Sequence, residues 1–234
     1  MGGRAKARPY TSRRDLRPIA NGVVSVALAV LIAAARARTQ SAAPRVEPAI
    51  SAPLEVTDET GRRVAVPQPV RRIISLAPSV TETLYALGAQ ERLVADTDYC
   101  DYPPEAQRKP KVGGAINPNL EQVVALKPDL VVVTRQLNRR ETVEALERLG
   151  IAAYATDPRT VEGVLASTAR LAEVIGAREQ GEALVAALRA RLEELKRRLS
   201  GRSPRRVLFV VWHEPLITIG RETFLADALR WAGA

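Results

Sequence analysis

"RRIISLAPSVTETLYALGAQERLVADT", residues 71–97, decides the fold. It opens on "RRIISLA", whose paired isoleucines are the residues that strands favour. Ser79 with Glu82 three positions on has the form of a capping box, so a helix is expected over "VTETLYALG" and Gly88 ends it. "RLVADT" is then a second strand. Strand, helix and strand in so short a run is the rhythm of a parallel sheet.

The same rhythm continues downstream. Asn117 before Pro118, or Asn119 itself, caps a helix through "LEQVVAL". "DLVVVT" is an unbroken β-branched run, as expected of a parallel strand buried on both faces. "ETVEALERLG" is a helix stopped by Gly150, and "IAAYAT" a fourth strand. Thr160 opens a helix to Ile175. A longer one is expected over Arg178–Leu199, where Leu184, Leu188, Leu192, Leu195 and Leu199 recur at helical spacing. After "SGRSP", "RRVLFVVW" is a new strand and "ETFLADALRWAG" its following helix. The fold class is therefore α/β: a parallel-sheet, Rossmann-like lobe, a long helix between lobes, and the start of a second α/β lobe, expected to be incomplete at Ala234.

Upstream, "LEVTDETGRRVAVP" is a small hairpin turning at "DETG", and the Pro-, Ala- and Ser-rich residues 38–53 are a linker. Residues 1–37 have the layout of an export signal: a basic segment, an apolar run over Ile19–Ala35, and Ala35-Arg36-Ala37 at an A-x-A spacing. Arg13-Arg14 loosely resemble a twin-arginine signal. Uncleaved, the apolar run is just long enough for a membrane anchor. The expected divisions are thus 1–37, 38–53, a lobe over 54–176, the joining helix over 177–200, and the second lobe from 205 to 234.

Charge at first suggests nucleic acid, because the net value is +9. Seven basic residues and one acid fall within residues 1–37, so most of the excess belongs to the leader and no nucleic-acid partner is expected. Cys100 is the sole cysteine, so no intrachain disulfide can form, and it is expected to be a small half-buried side chain. "SLAPSVTE" lacks the glycines of a nucleophile elbow, and "GGAINPN" lacks the lysine and glycine spacing of a phosphate loop. With a single histidine, a several-histidine metal site is not expected. These features argue against an enzyme and against a resident metal or cofactor.

"DTDYCDYPPEAQRKPKVGG", residues 96–114, follows the second strand. In open parallel sheets ligands sit beyond the carboxyl ends of the strands, and this loop lies at such an end. Tyrosine suits a large flat apolar ligand with a polar fringe, offering a ring face and a hydroxyl tip.

Together with "LAPSVTE" and "NLEQVVALKPDLVVV", this loop resembles the periplasmic binding proteins that deliver cobalamin and iron chelates to ABC importers, the vitamin B12-binding type above all. The resemblance covers Leu54–Ala234. It implies two lobes joined by a stiff helix, a monomer in the periplasm, a corrinoid held between the lobes, and an inner-membrane permease as partner. A siderophore or haem ligand is the alternative, and a remnant with weak or no binding is another. It implies that Tyr99 contacts ligand. Tyr102 matches a residue that packs the loop, though it is kept among the ligand candidates. Pro78 and Ser79, on the loop after "IISLA", are candidates too. Trp212 is expected to face the cleft from the second lobe, with His213 beside it as either a solvated loop residue or a contact to a chelated metal. Glu121, favourable in a first helical turn by charge alone, matches a glutamate that docks to permease arginines.

Overall fold

Ile73 and Ile74 are adjacent and both fully buried, so the strand that carries them has a core on each side. The computed structural model describes residues 51–234; the export-signal reading and most of the linker reading fall outside them. β1 (Ser51–Thr57) and β2 (Arg63–Gln68) form the expected hairpin, begun three residues earlier than Leu54. Then come β3 (Ile73–Ser75), α1 (Pro78–Ala86), β4 (Leu93–Ala95), a short 3₁₀ turn (Pro104–Arg108), α2 (Leu120–Ala125), β5 (Leu130–Thr134), α3 (Arg140–Arg148) and β6 (Ala153–Thr156). α4 (Val161–Val174), α5 (Arg178–Leu199), β7 (Val210–His213), β8 (Leu216–Thr218) and α6 (Phe224–Trp231) complete it.

The central sheet has the order β4-β3-β5-β6, all parallel. Alternation divides its side chains between two cores. Ile73, Leu130, Val132 and Tyr154 face one layer, with Val66, Leu84, Leu171 and Ile175. Ile74, Val131, Val133, Ala153 and Ala155 face the other, with Val123, Val143 and Leu146. The β-branched run of β5 thus serves both faces, as its sequence requires. At the free edge of β6 the hairpin turn takes over: Glu59 N donates to Ala155 O at 3.0 Å, and Asp157 N donates to Glu59 Oε2 at 2.7 Å. That edge is closed rather than left as a template for another chain.

Two caps follow the sequence. Asn119 accepts from Gln122 N at 3.1 Å, and Thr160 accepts from Gly163 N at 2.9 Å. Ser79 does not cap. The N-cap of α1 is Ala77, and Pro78 takes the first helical position, so Ser79 is already inside the helix. Proline's fixed φ begins the helix two residues before the capping box would have. α5 has the bounds expected of it. Gly181 and Val185 are its buried residues, and the leucine stripe beyond them is half-buried.

The C-terminal stretch departs from expectation. "RRVLFVVW" was to begin a βα unit, but only Val210–His213 is strand, and β8 precedes the helix. The two strands are antiparallel and exposed along their length. Among the described residues no parallel neighbour lies beside β7, so its local partner takes the hydrogen bonds that the backbone requires. α6 is tied back to the start of α4 by Asp227 Oδ2, which accepts from Val161 N at 2.8 Å. Among the described residues no helix is long and apolar enough to cross a membrane.

Candidate functional site

From β3 the chain moves to β4 on one side and then crosses to β5 on the other, so the sheet order reverses between β3 and β5. The carboxyl ends of strands around such a switch point form a crevice. Here a hollow of about 580 Å³ opens, lined by Pro78, Asp98, Tyr99, Gly114, Ala115, Ile116, Asn117 and Leu137. A hollow of about 740 Å³ lies elsewhere, between β1 and the α4–α5 junction. Its arginines are already ion-paired, Arg170 to Glu59 at 3.0 Å and Arg178 to Glu173 at 2.8 Å. It lies on the flank of the sheet, so the switch-point hollow is the better candidate.

The Asp96–Gly114 loop is built from inside. Its two limbs run side by side: Asp96 N donates to Pro110 O at 3.0 Å, Val112 N to Asp96 O at 2.9 Å, and Asp98 N to Gly113 O at 3.0 Å. Lys111 Nζ spends its three donors on Asp96 Oδ1 at 2.7 Å, Cys100 O at 3.0 Å and Ala106 O at 3.1 Å. Burial pushes the Asp96 carboxyl above its ordinary range, and the nearby ammonium offsets that only in part. Cys100 is 1 % exposed, not half-buried as the sequence suggested. Its sulfur lies 3.2 Å from the hydroxyls of Thr81 and Thr97. The thiol is a plug that seats the loop on α1.

On this frame Tyr99 is 67 % exposed, although Thr97 and Cys100 beside it are buried. A Cβ on Gly114 would lie 3.8 Å from Tyr99 Cε2, so the ring stands over the glycine of the returning limb. A ring held out by a fixed backbone loses little entropy when a flat ligand stacks on it. The hollow has one carboxylate on its lining, Asp98.

Of the residues singled out in the sequence, Tyr99 and Pro78 meet in this hollow. Ser79 is exposed on the first turn of α1 and Tyr102 is exposed on the loop, and neither lines it. Trp212 and His213 lie together on β7, ring centroids 5.6 Å apart, and do not line it either. Trp212 Nε1 donates to Glu214 O at 2.8 Å. Glu121 is exposed in the first turn of α2. Sequence reasoning passed over Asp98, Ala115, Ile116, Asn117 and Leu137, and also Asn138 beneath them. The first four lay within or just past the quoted loop, but their facing the hollow follows from how its limbs fold back. Among the described residues no group of three or more His, Cys, Asp or Glu is placed to hold a metal.

Comparison with known proteins agrees with this architecture. The vitamin B12-binding protein of Photorhabdus laumondii is 33 % identical over 162 residues, 69 % of this chain and 59 % of its own length. That of Pectobacterium atrosepticum is 34 % identical over 175 residues, 73 % of this chain and 62 % of its own. The chain thus spans about three fifths of the length of these curated relatives. Among solved structures, the periplasmic vitamin B12-binding protein BtuF of Vibrio cholerae is 30 % identical, with a TM-score of 0.64 over 70 % of this chain and 65 % of that one. The periplasmic heme-binding protein BhuT, solved in complex with two hemes, gives the same identity, score and coverage. The family described as "Periplasmic binding protein" matches residues 73–234, and the chain belongs to it.

Proposed function

We propose that this chain is the exported ligand-capturing component of an ABC importer, and that it binds cobalamin or a related corrinoid through the Tyr99 hollow. The observation that carries the reading is the lining itself. Pro78, Tyr99, Gly114, Ala115, Ile116 and Leu137 offer a shallow apolar wall with one exposed aromatic face, and Asp98 is the single carboxylate on it. A corrinoid is broad and flat, with amide side chains around its rim. It suits such a wall, and Asp98 would accept from an amide N–H. Trp212 and His213 would meet the ligand from a second lobe, while Glu121 would dock to arginines of an inner-membrane permease. Residues 1–37 would direct the chain to the periplasm.

Haem is the second reading, favoured by the equal likeness to BhuT. Its propionates are anionic, and the lining supplies no arginine or lysine to meet them. The test is calorimetric titration of the full chain with cyanocobalamin, haemin and a ferric siderophore, repeated with Tyr99→Ala. Saturable binding of cyanocobalamin, weakened about tenfold or more by the substitution, is expected from loss of an aromatic contact. Binding of haemin or siderophore alone would replace the corrinoid reading. No binding of any of the three would overturn the proposal.

A further inference from the structure

Asn138 lies between β5 and α3 and is only 8 % exposed. Its carboxamide makes three hydrogen bonds, each to a different backbone position. Oδ1 accepts from Thr134 N at 2.7 Å. Nδ2 donates to Leu76 O at 2.9 Å and to Ala115 O at 2.7 Å. The orientation is fixed by these partners: two carbonyl oxygens require the NH₂, and one N–H requires the oxygen.

The partners are the frame of the hollow. Leu76 leads to Pro78 on the turn into α1. Ala115 is itself on the lining, followed by Ile116 and Asn117. Thr134 ends β5, and Leu137, also on the lining, adjoins Asn138. Both strands flanking the switch point, and the returning limb of the Tyr99 loop, are therefore joined by one side chain. Burial makes each bond hard to replace, because Leu76, Ala115, Thr134 and Asn138 are each at most 8 % exposed.

We propose that Asn138 is a positioning residue for ligand binding: it sets the spacing between the Pro78 wall and the Ala115–Asn117 wall of the hollow. The role rests on the function proposed above. The chemistry demands an amide. Aspartate has the same shape and can still accept from Thr134 N, but it turns an oxygen toward two carbonyl oxygens and supplies no donor. Serine is shorter and cannot reach three partners. Alanine leaves all three unpaired.

The test uses the full chain as wild type, Asn138→Asp, Asn138→Ser and, as a control, Val174→Ala. Val174 is buried at the end of α4 and lines the other hollow rather than this one, so its truncation lowers stability without altering a lining residue. Two quantities are read at a temperature where every variant is folded by circular dichroism. The first is hydrogen exchange at the Asp98 and Asn119 amides, which bond Gly113 O and Val112 O on the limb that leads to Ala115. The second is affinity for cyanocobalamin and haemin. Both Asn138 variants are expected to speed exchange at these two amides about tenfold beyond the control. They should also weaken the probe that wild type binds by about tenfold, as loss of pre-organisation requires. Exchange equal to the control in both variants would overturn the inference. So would affinity within twofold of wild type. If wild type binds neither probe, the proposed function fails, and the exchange readout alone decides whether Asn138 holds the walls. Should Asn138→Asp not fold, Asn138→Ser carries both readouts.

Discussion

Replacing Gly181 by alanine tests how α5 is aimed. Gly181 is buried where α5 crosses α4, and a Cβ built on it would stand closer than 3.0 Å to the Cβ of Ala172, itself fully buried. Ordinary van der Waals contact begins at 3.4 Å, so one helix must move. Two effects oppose. Alanine is the better helix former by about 1 kcal/mol. Overpacking a filled core costs about 1–3 kcal/mol, and here the obstruction is a Cβ rather than the end of a flexible side chain, so the upper part of that range applies. The net expectation is a loss of roughly 1–2 kcal/mol. A four-variant cycle of wild type, Gly181→Ala, Ala172→Gly and the double variant, followed by urea unfolding, isolates the clash. The double variant should lose at least about 1 kcal/mol less than the two single losses added together, because Ala172→Gly removes the Cβ that the Gly181→Ala methyl meets. A Gly181→Ala chain as stable as wild type, or an additive cycle, would refute the reasoning. It would mean that α4 and α5 slide past one another freely.

Other outcomes follow from single contacts. Asn119→Ala removes the cap of α2 and should cost about 1 kcal/mol in the same unfolding assay. Lys111→Met leaves a fully buried Asp96 side chain without its cation, a loss of about 3–5 kcal/mol where the acid is ionised. The folded carboxyl is then raised further above its unfolded value. The variant's stability is therefore retained below the ordinary carboxylate range and lost as pH rises, which thermal midpoints measured from about pH 4 to 8 would show. Asp58 behaves oppositely. Burial pushes its carboxyl up, but hydrogen bonds from Arg62 and Thr60 outweigh that and hold it below the ordinary carboxylate range. Its contribution is present above the ordinary range and lost as pH falls through the folded value. Asp58→Asn should thus lower the midpoint at neutral pH and shrink the drop between about pH 5 and 3.

Spacing made much of this fold legible. The β-branched run of β5, the leucines of α5, and the caps Asn119 and Thr160 are local patterns, and local patterns survive folding. Ser79 misled because two start signals overlap there, and the rigid proline prevailed over the hydroxyl. The site was half legible. Tyr99 could be placed because it stands on a loop at a strand's carboxyl end. Asn138 could not, since a single polar residue in "TRQLNRR" has no period and no neighbour that announces three distant backbone partners. The pairing of β7 with β8 was missed for a related reason. An apolar strand-forming run specifies a strand but not which edge it will join.

Cys100 gives the Tyr99 loop a clock of its own. The chain has one cysteine, and its sulfur is sealed between Thr81 and Thr97 while the loop is seated. An alkylating reagent reaches the thiol only during moments when the loop lifts from α1. Its rate of modification therefore counts those moments, with no label added and no residue changed. A molecule resting on Tyr99 holds the seated form, and should slow that reaction in proportion to how firmly it is held.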